Sequence, residues 1–113
     1  MKKTYCKIVR DRIPEIIERS GKRARFEYAT PERTLAGLTE KLVEEAEEFR
    51  ESGSIEELAD VCEVIHGILR LRGLSVRALE ETRLKKRAER GGFLLGVRLL
   101  EVDDGISPET PDC

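Results

Sequence analysis

Apolar residues recur at steps of three and four along most of this chain, and caps, prolines and glycines cut that rhythm into four segments. The first is short, Ile13 to Arg19, with Pro14 in its opening turn and Gly21 just past its end. Residues 22–29 read as a connector, of which Ala24-Arg25-Phe26-Glu27-Tyr28 has the composition of an extended stretch. Thr30-Pro31 supplies an N-cap followed by proline at the first helical position, and the pattern then runs to Ser52-Gly53. Ser54 opens a third helix that ends near Gly73, and Ser75 caps a fourth that stops at Gly91-Gly92. Phe93 to Val102 is rich in Leu and Val, and a strand there, paired with 24–28, stays open as an alternative to coil. Asp, Gly, Ser, Pro, Thr and Glu fill 103–113, the composition of a disordered tail. The expectation is an all-α protein: an antiparallel bundle of about four helices over residues 1–102, with or without a short C-terminal strand or hairpin.

The same wheels sort the acidic residues. On the second helix Leu35, Leu38, Leu42, Ala46 and Phe49 form an apolar stripe; Glu45 lies at its margin and Glu48 just beyond, whereas Glu40, Glu47 and Glu51 fall on the far side. On the third, Leu58, Val61, Cys62, Val64, Ile65, Ile68, Leu69 and Leu71 define a broad arc. Glu57 falls inside it and Asp60 on its edge, while Glu56 and Glu63 point away. A carboxylate on a core-facing arc costs several kcal/mol unless a cation or hydrogen-bond partner meets it, at roughly the scale of a buried unpaired charge. Two i, i+3 pairs, Glu45/Glu48 and Glu57/Asp60, would bring four hard oxygen donors together, which asks for Mg²⁺ or Mn²⁺. Ser54-Ile55-Glu56-Glu57 is also a capping box, but that explains Glu57 alone. A merely solvated acidic face is the competing account.

Composition adds a core of Leu, Ile, Val and Ala, since 39% of the 113 residues are charged, 4% are aromatic and none is Trp. A chain of this length makes one modest core that association would help to bury. The net charge of −2 conceals segregation: between positions 40 and 63 only Lys41 and Arg50 oppose the acids, and basic residues collect on both flanks. An acidic centre between basic flanks can hold a metal and a polyanion together, whereas a slightly acidic chain poor in aromatics is ill suited to a stable nucleic-acid complex. Cys6, Cys62 and Cys113 form no C-x-x-C and are odd in number, no apolar run approaches a membrane span of about 18 residues, and the N-terminus lacks a signal-peptide core. A cytoplasmic protein without a membrane partner is the expectation.

On the fourth helix Val76, Leu79, Arg83, Lys86 and Arg90 follow steps of 3, 4, 3 and 4, so cations extend the apolar face toward the N–H groups of Gly91-Gly92. Such a row can grip phosphate oxygens; pairing with Glu on neighbouring helices explains Arg83 equally well. The one histidine, His66, completes an E-x-x-H, but a di-iron bundle needs two of these, and His66 faces away from the apolar arc. No P-loop, Ser-His-Asp or Cys-His set competes.

Lys41-Leu42-Val43-Glu44-Glu45-Ala46-Glu47-Glu48 followed by Glu57-Leu58-Ala59-Asp60 resembles the E-E-x-x-E…E-x-x-D signature of the MazG-like all-α nucleoside triphosphate pyrophosphohydrolases, a superfamily that includes phosphoribosyl-ATP pyrophosphohydrolase. Lys7-Ile8-Val9-Arg10-Asp11-Arg12-Ile13-Pro14 and Lys86-Arg87-Ala88-Glu89-Arg90-Gly91-Gly92-Phe93 are similar to segments of a small house-cleaning subgroup. The resemblance implies Mg²⁺ (or Mn²⁺) held by Glu45, Glu48, Glu57 and Asp60, with Glu44 in support. It also implies hydrolysis of a nucleotide between its α and β phosphates to the monophosphate and pyrophosphate. Lys86, Arg90, Gly91, Gly92, Arg10 and Arg12 would face the substrate, with Arg83 and Lys7 in support, and the Arg10-Asp11-Arg12 segment would help to close the site. A homodimer or homotetramer with sites near subunit contacts is implied as well. Phosphoribosyl-ATP hydrolysis and a non-catalytic helical oligomerisation module are the alternatives. Tyr5, Phe26, Tyr28 and Phe93 are the aromatics that could stack on a base, and the sequence does not choose among them.

Overall fold

The computed structural model describes residues 1–105; positions 106–113 of the expected tail, Cys113 among them, lie outside the described residues. The described chain is all-α, with α1 at Ile13–Arg19, α2 at Pro31–Ser52, α3 at Ile55–Leu71 and α4 at Val76–Arg90. It divides into two compact units, residues 1–79 and the part that starts at Glu80.

Each boundary has a local cause. The Thr30 side-chain oxygen accepts a hydrogen bond from the Arg33 amide at 3.3 Å, which satisfies one of the donors left free in the first turn of α2. Gly53 closes α2 in the left-handed region at φ 64°, where its N–H donates to the Phe49 carbonyl at 2.7 Å. Ser54 Oγ then accepts from the Glu57 amide at 3.4 Å, and Ser75 Oγ accepts from the Ala78 amide at 3.0 Å, so α3 and α4 both open on serine caps. The Gly91 amide donates to the Arg87 carbonyl at 2.8 Å as α4 ends.

With only Gly53 and Ser54 between them, α2 and α3 fold back as an antiparallel pair, and this pair carries the packing of the first unit. The approach is close where α3 is bare: a Cβ on Gly67 would come within 2.9 Å of Leu38 Cδ1. Val64 and Leu69 are the buried apolar side chains among the described residues, flanked by half-buried Leu35, Leu38, Leu42, Phe49, Val61, Ile65 and Ile68. Ala46, Leu58, Cys62 and Leu71, predicted on the core-facing arcs, are exposed instead. The arc on α3 is wider than a single neighbouring helix can cover, so its margins meet solvent. His66 is exposed, as its position off the arc implied.

The opening segment packs on this pair without regular structure. Ile8 sits against α2 where Gly37 leaves room, and a Cβ there would come within 2.4 Å of Ile8 Cγ1. Cys6, just before it, adopts a left-handed backbone at φ 47°. Cys6 and Cys62 are free thiols, both exposed.

The open question of a strand over 93–102 is answered in favour of coil. Neither that stretch nor 24–28 forms a strand, Leu94-Leu95 make a turn, and Gly96 follows in the left-handed region at φ 64°. Leu and Val enrichment is a preference for a pleated, half-buried surface, and without a paired neighbour it produces none. Phe93, Leu94, Leu95, Val97 and Leu99 are all exposed. No helix among the described residues is long and apolar enough to cross a membrane.

Candidate metal centre

Because α2 and α3 run antiparallel from a tight turn, the acids near the end of one face those near the start of the other. Glu45 is the pivot. Carboxylate oxygens of Glu44, Glu45 and Glu48 lie within 4.8 Å of one another, and so do those of Glu45, Glu57 and Asp60. All four predicted ligands and the predicted supporting Glu44 therefore belong to two overlapping triads that share one side chain.

Burial grades the set. Glu45 is 6% exposed, Glu44, Glu57 and Asp60 are half-buried, and Glu48 is exposed at the edge. Glu40, Glu47, Glu51, Glu56 and Glu63, placed on the outer faces by the helical wheel, are all exposed. The capping box proves to be only half formed: the Ser54 amide donates to Ser52 Oγ at 3.2 Å, and the Glu57 carboxylate joins the cluster instead.

Three cations meet these acids. Lys7 Nζ donates to Glu44 Oε1 at 3.0 Å, Arg10 Nη2 donates to Asp60 Oδ1 at 2.7 Å, and Lys41 Nζ stands 3.4 Å from Glu45 Oε1, one helical turn earlier on α2. Lys7 also lies over the Tyr5 ring, 5.9 Å from its centroid. Five carboxylates against three cations leave a formal deficit of two charges, the charge of one divalent cation. The other Glu45 oxygen, Oε2, is buried with no hydrogen-bond partner.

Burial pushes the Glu45 carboxyl above its ordinary range, the nearby Glu48 carboxylate pushes the same way, and Lys41 opposes them. The hydrogen bond from Lys7 holds Glu44 below its ordinary value and in turn raises the Lys7 ammonium. The hydrogen bond to Asp60 keeps the Arg10 guanidinium firmly protonated. An all-oxygen, net-negative donor set with one buried, unpartnered oxygen fits a hard divalent cation.

A cleft of about 340 Å³ opens onto the cluster, with Val9 and Ile13 as an apolar wall and Lys7, Arg10, Lys41, Glu44, Glu45, Glu48 and Asp60 as the polar lining. Arg12, at the N-cap of α1, is exposed and makes no side-chain cap. In the second unit Lys86, Arg90, Gly91 and Gly92 are all exposed at the end of α4. Arg83 is engaged on its own helix, where Nε donates to Glu80 Oε2 at 3.0 Å and Nη2 donates to Oε1. Its partner is thus one turn back rather than on a neighbouring helix.

Sequence reasoning missed Lys41 as a member of the site and treated it only as a charge among acids. Its i, i+4 spacing to Glu45 was the available signal. The Ile8 contact at Gly37 had none, since it joins distant positions. Comparison of the chain with family models, with curated proteins and with solved structures gives no match to any of them.

Proposed function

We propose that this chain is a Mg²⁺-dependent nucleoside triphosphate pyrophosphohydrolase that cleaves between the α and β phosphates and acts on non-standard nucleotides. The observation that carries the reading is Glu45, a buried carboxylate with an unpartnered oxygen, at the junction of two carboxylate triads. Glu45, Glu48, Glu57 and Asp60 hold the metal and Glu44 supports them. Bound there, a divalent cation supplies charge neutralisation at the phosphate oxygens and polarisation of a water. Lys7 and Arg10, at the rim of the cleft, offer donors to phosphate, and a glutamate oxygen of the cluster accepts the proton of the attacking water. Lys86 and Arg90, with the Gly91 and Gly92 amides, have the same chemistry in the second unit. Their assignment to the substrate rests on the cationic row along the fourth helix together with the motif resemblance, and that of Arg12 on the resemblance alone.

Association with further copies, as a dimer or tetramer, is part of the proposal. Exposed Val43, Ala46 and Leu58 support it, since so small a core leaves apolar helix surface uncovered. Sedimentation at micromolar concentration tests it, and a monomer overturns it.

The activity test is incubation with each standard and damaged triphosphate in Mg²⁺, with pyrophosphate as the readout. Glu48→Gln and Asp60→Asn should each lower turnover at least about a hundredfold, the scale of losing an electrostatic contact made in the transition state. Release of orthophosphate alone, or full turnover in both variants, refutes the reading. Pyrophosphate released only from phosphoribosyl-ATP would move the assignment to that hydrolase. A protein with no thermal response to Mg²⁺ and no turnover would be the non-catalytic module.

A further inference from the structure

Residues 1–12 lack regular structure, yet both sides of the stretch that meets the acids are anchored. Ile8 lies against Gly37 at a spacing no side-chain-bearing residue would allow, and the Ile13 amide donates to the Arg10 carbonyl at 3.0 Å where the chain enters α1. From this strap Lys7 reaches Glu44 and Arg10 reaches Asp60. Both ion pairs stand open to water, with side chains between 37% and 51% exposed. Glu44 and Asp60 sit in different triads, and Glu45 is common to both. The two cations thus neutralise the more open acids Glu44 and Asp60 while the buried Glu45 Oε2 has no partner.

We propose that Lys7 and Arg10 are exchangeable counter-cations of the carboxylate cluster. They hold Glu44 and Asp60 while the site is free of metal, yield those oxygens to a divalent cation, and then bind the phosphate oxygens that arrive with it. This deepens the metal-dependent reading above and rests on it. Ion pairs so exposed are weak, because water and salt screen them and long side chains lose freedom in forming them. A hard divalent ion gathering several carboxylate oxygens is the stronger competitor for Asp60 Oδ1. The released Arg10 side chain stays beside the cleft, because its backbone is tied to Ile13 and Ile8 is seated at Gly37. Its guanidinium then presents a planar fork of donors that matches a phosphate group. Polyphosphate binding would therefore depend on the metal in two ways: the ion attracts the anion and frees the cations that grip it.

The test is calorimetric titration of Mn²⁺ into wild type, Arg10→Gln and Arg12→Gln, followed by inorganic pyrophosphate into each metal-saturated protein. Arg12→Gln removes the same charge two residues away without touching Asp60, so it reports the long-range part of the effect. Arg10→Gln should bind Mn²⁺ roughly two- to fivefold more tightly than Arg12→Gln, the scale of losing one exposed ion pair. With metal bound, it should hold pyrophosphate about tenfold less well than wild type, the scale of one charge-assisted hydrogen bond. Equal Mn²⁺ affinity in the two variants, or unchanged pyrophosphate affinity in Arg10→Gln, overturns the exchange while leaving the metal site standing. Wild type that binds no Mn²⁺ overturns both. Should Arg10→Gln lose its helical circular dichroism, Lys7→Gln carries the same comparison through Glu44.

Discussion

Glu45→Gln should make the metal-free protein more stable, against the usual direction for altering a buried residue. Glu45 Oε2 is buried with no hydrogen-bond partner, and such a group costs about 1–3 kcal/mol. Gln preserves the shape, removes the charge, keeps an oxygen for Lys41 and brings an N–H donor beside the Glu48 carboxylate, while the largely buried Lys41 pair, its side chains 16% and 8% exposed, gives up about 1 kcal/mol of attraction. The net gain at pH 7 is about 1 kcal/mol, or about 5 °C in Tm for a chain of this size. The pH dependence has a definite sign. Burial and Glu48 raise the folded-state pKa of Glu45 above its ordinary 4.5, so its contribution to stability is fully present below that value and is lost as pH rises through the raised one. The advantage of the Gln variant should therefore be seen at pH 7 and fade as the solution is acidified toward 4.5, with Glu48, Asp60 and Lys41 the charged groups that modulate it. Magnesium should reverse the ranking: at a hundred times its dissociation constant it would stabilise wild type by about 2.7 kcal/mol and a protein lacking the central ligand far less. Thermal melts in EDTA and in Mg²⁺, each at pH 5 and pH 7, measure all four terms. A Gln variant less stable than wild type in EDTA at pH 7, or one stabilised equally by Mg²⁺, refutes the reasoning.

Two glycines should respond to alanine for opposite reasons. At Gly37 the new Cβ meets Ile8 Cγ1 at 2.4 Å, and an overpacking cost of about 1–3 kcal/mol outweighs the gain of about 1 kcal/mol in helix propensity. Limited proteolysis within residues 1–12 should accelerate; an unchanged rate means Ile8 is not held there. At Gly53 nothing lies within 4 Å, so Gly53→Ala should cost about 1 kcal/mol through the left-handed backbone alone, read from urea melts, with no loss meaning that the turn relaxes freely. Ser54→Ala should cost about 1 kcal/mol and Ser54→Asn much less, since asparagine also caps; equal losses would place the effect elsewhere than the Glu57 amide.

What the sequence conveyed was local. Thr30-Pro31, Gly53-Ser54 and Ser75 act on backbone groups within one turn, and the four helices fall where those residues place them. The i, i+3 pairs likewise predicted which carboxylates converge, because direction on a helix depends on spacing alone. Distance did not come through: the wheel put Glu45 at a margin, yet it is buried and shares its cleft with a segment more than thirty positions away. The stretch 93–102 had strand-forming residues, but pairing is a relation between segments and composition cannot supply the second. Ala46, Leu58 and Cys62 show the same limit from the other side, apolar positions with nothing laid over them.

The two-residue link at Gly53-Ser54 also bears on the order in which this protein assembles. Every carboxylate of the cluster lies between positions 44 and 60, so closing one helical hairpin brings them together with almost no loop to pay for. Charge repulsion is then felt at the first long-lived contact rather than at the end of folding. A divalent cation would act on the nascent hairpin, and the folding rate, not only the final stability, should rise with its concentration.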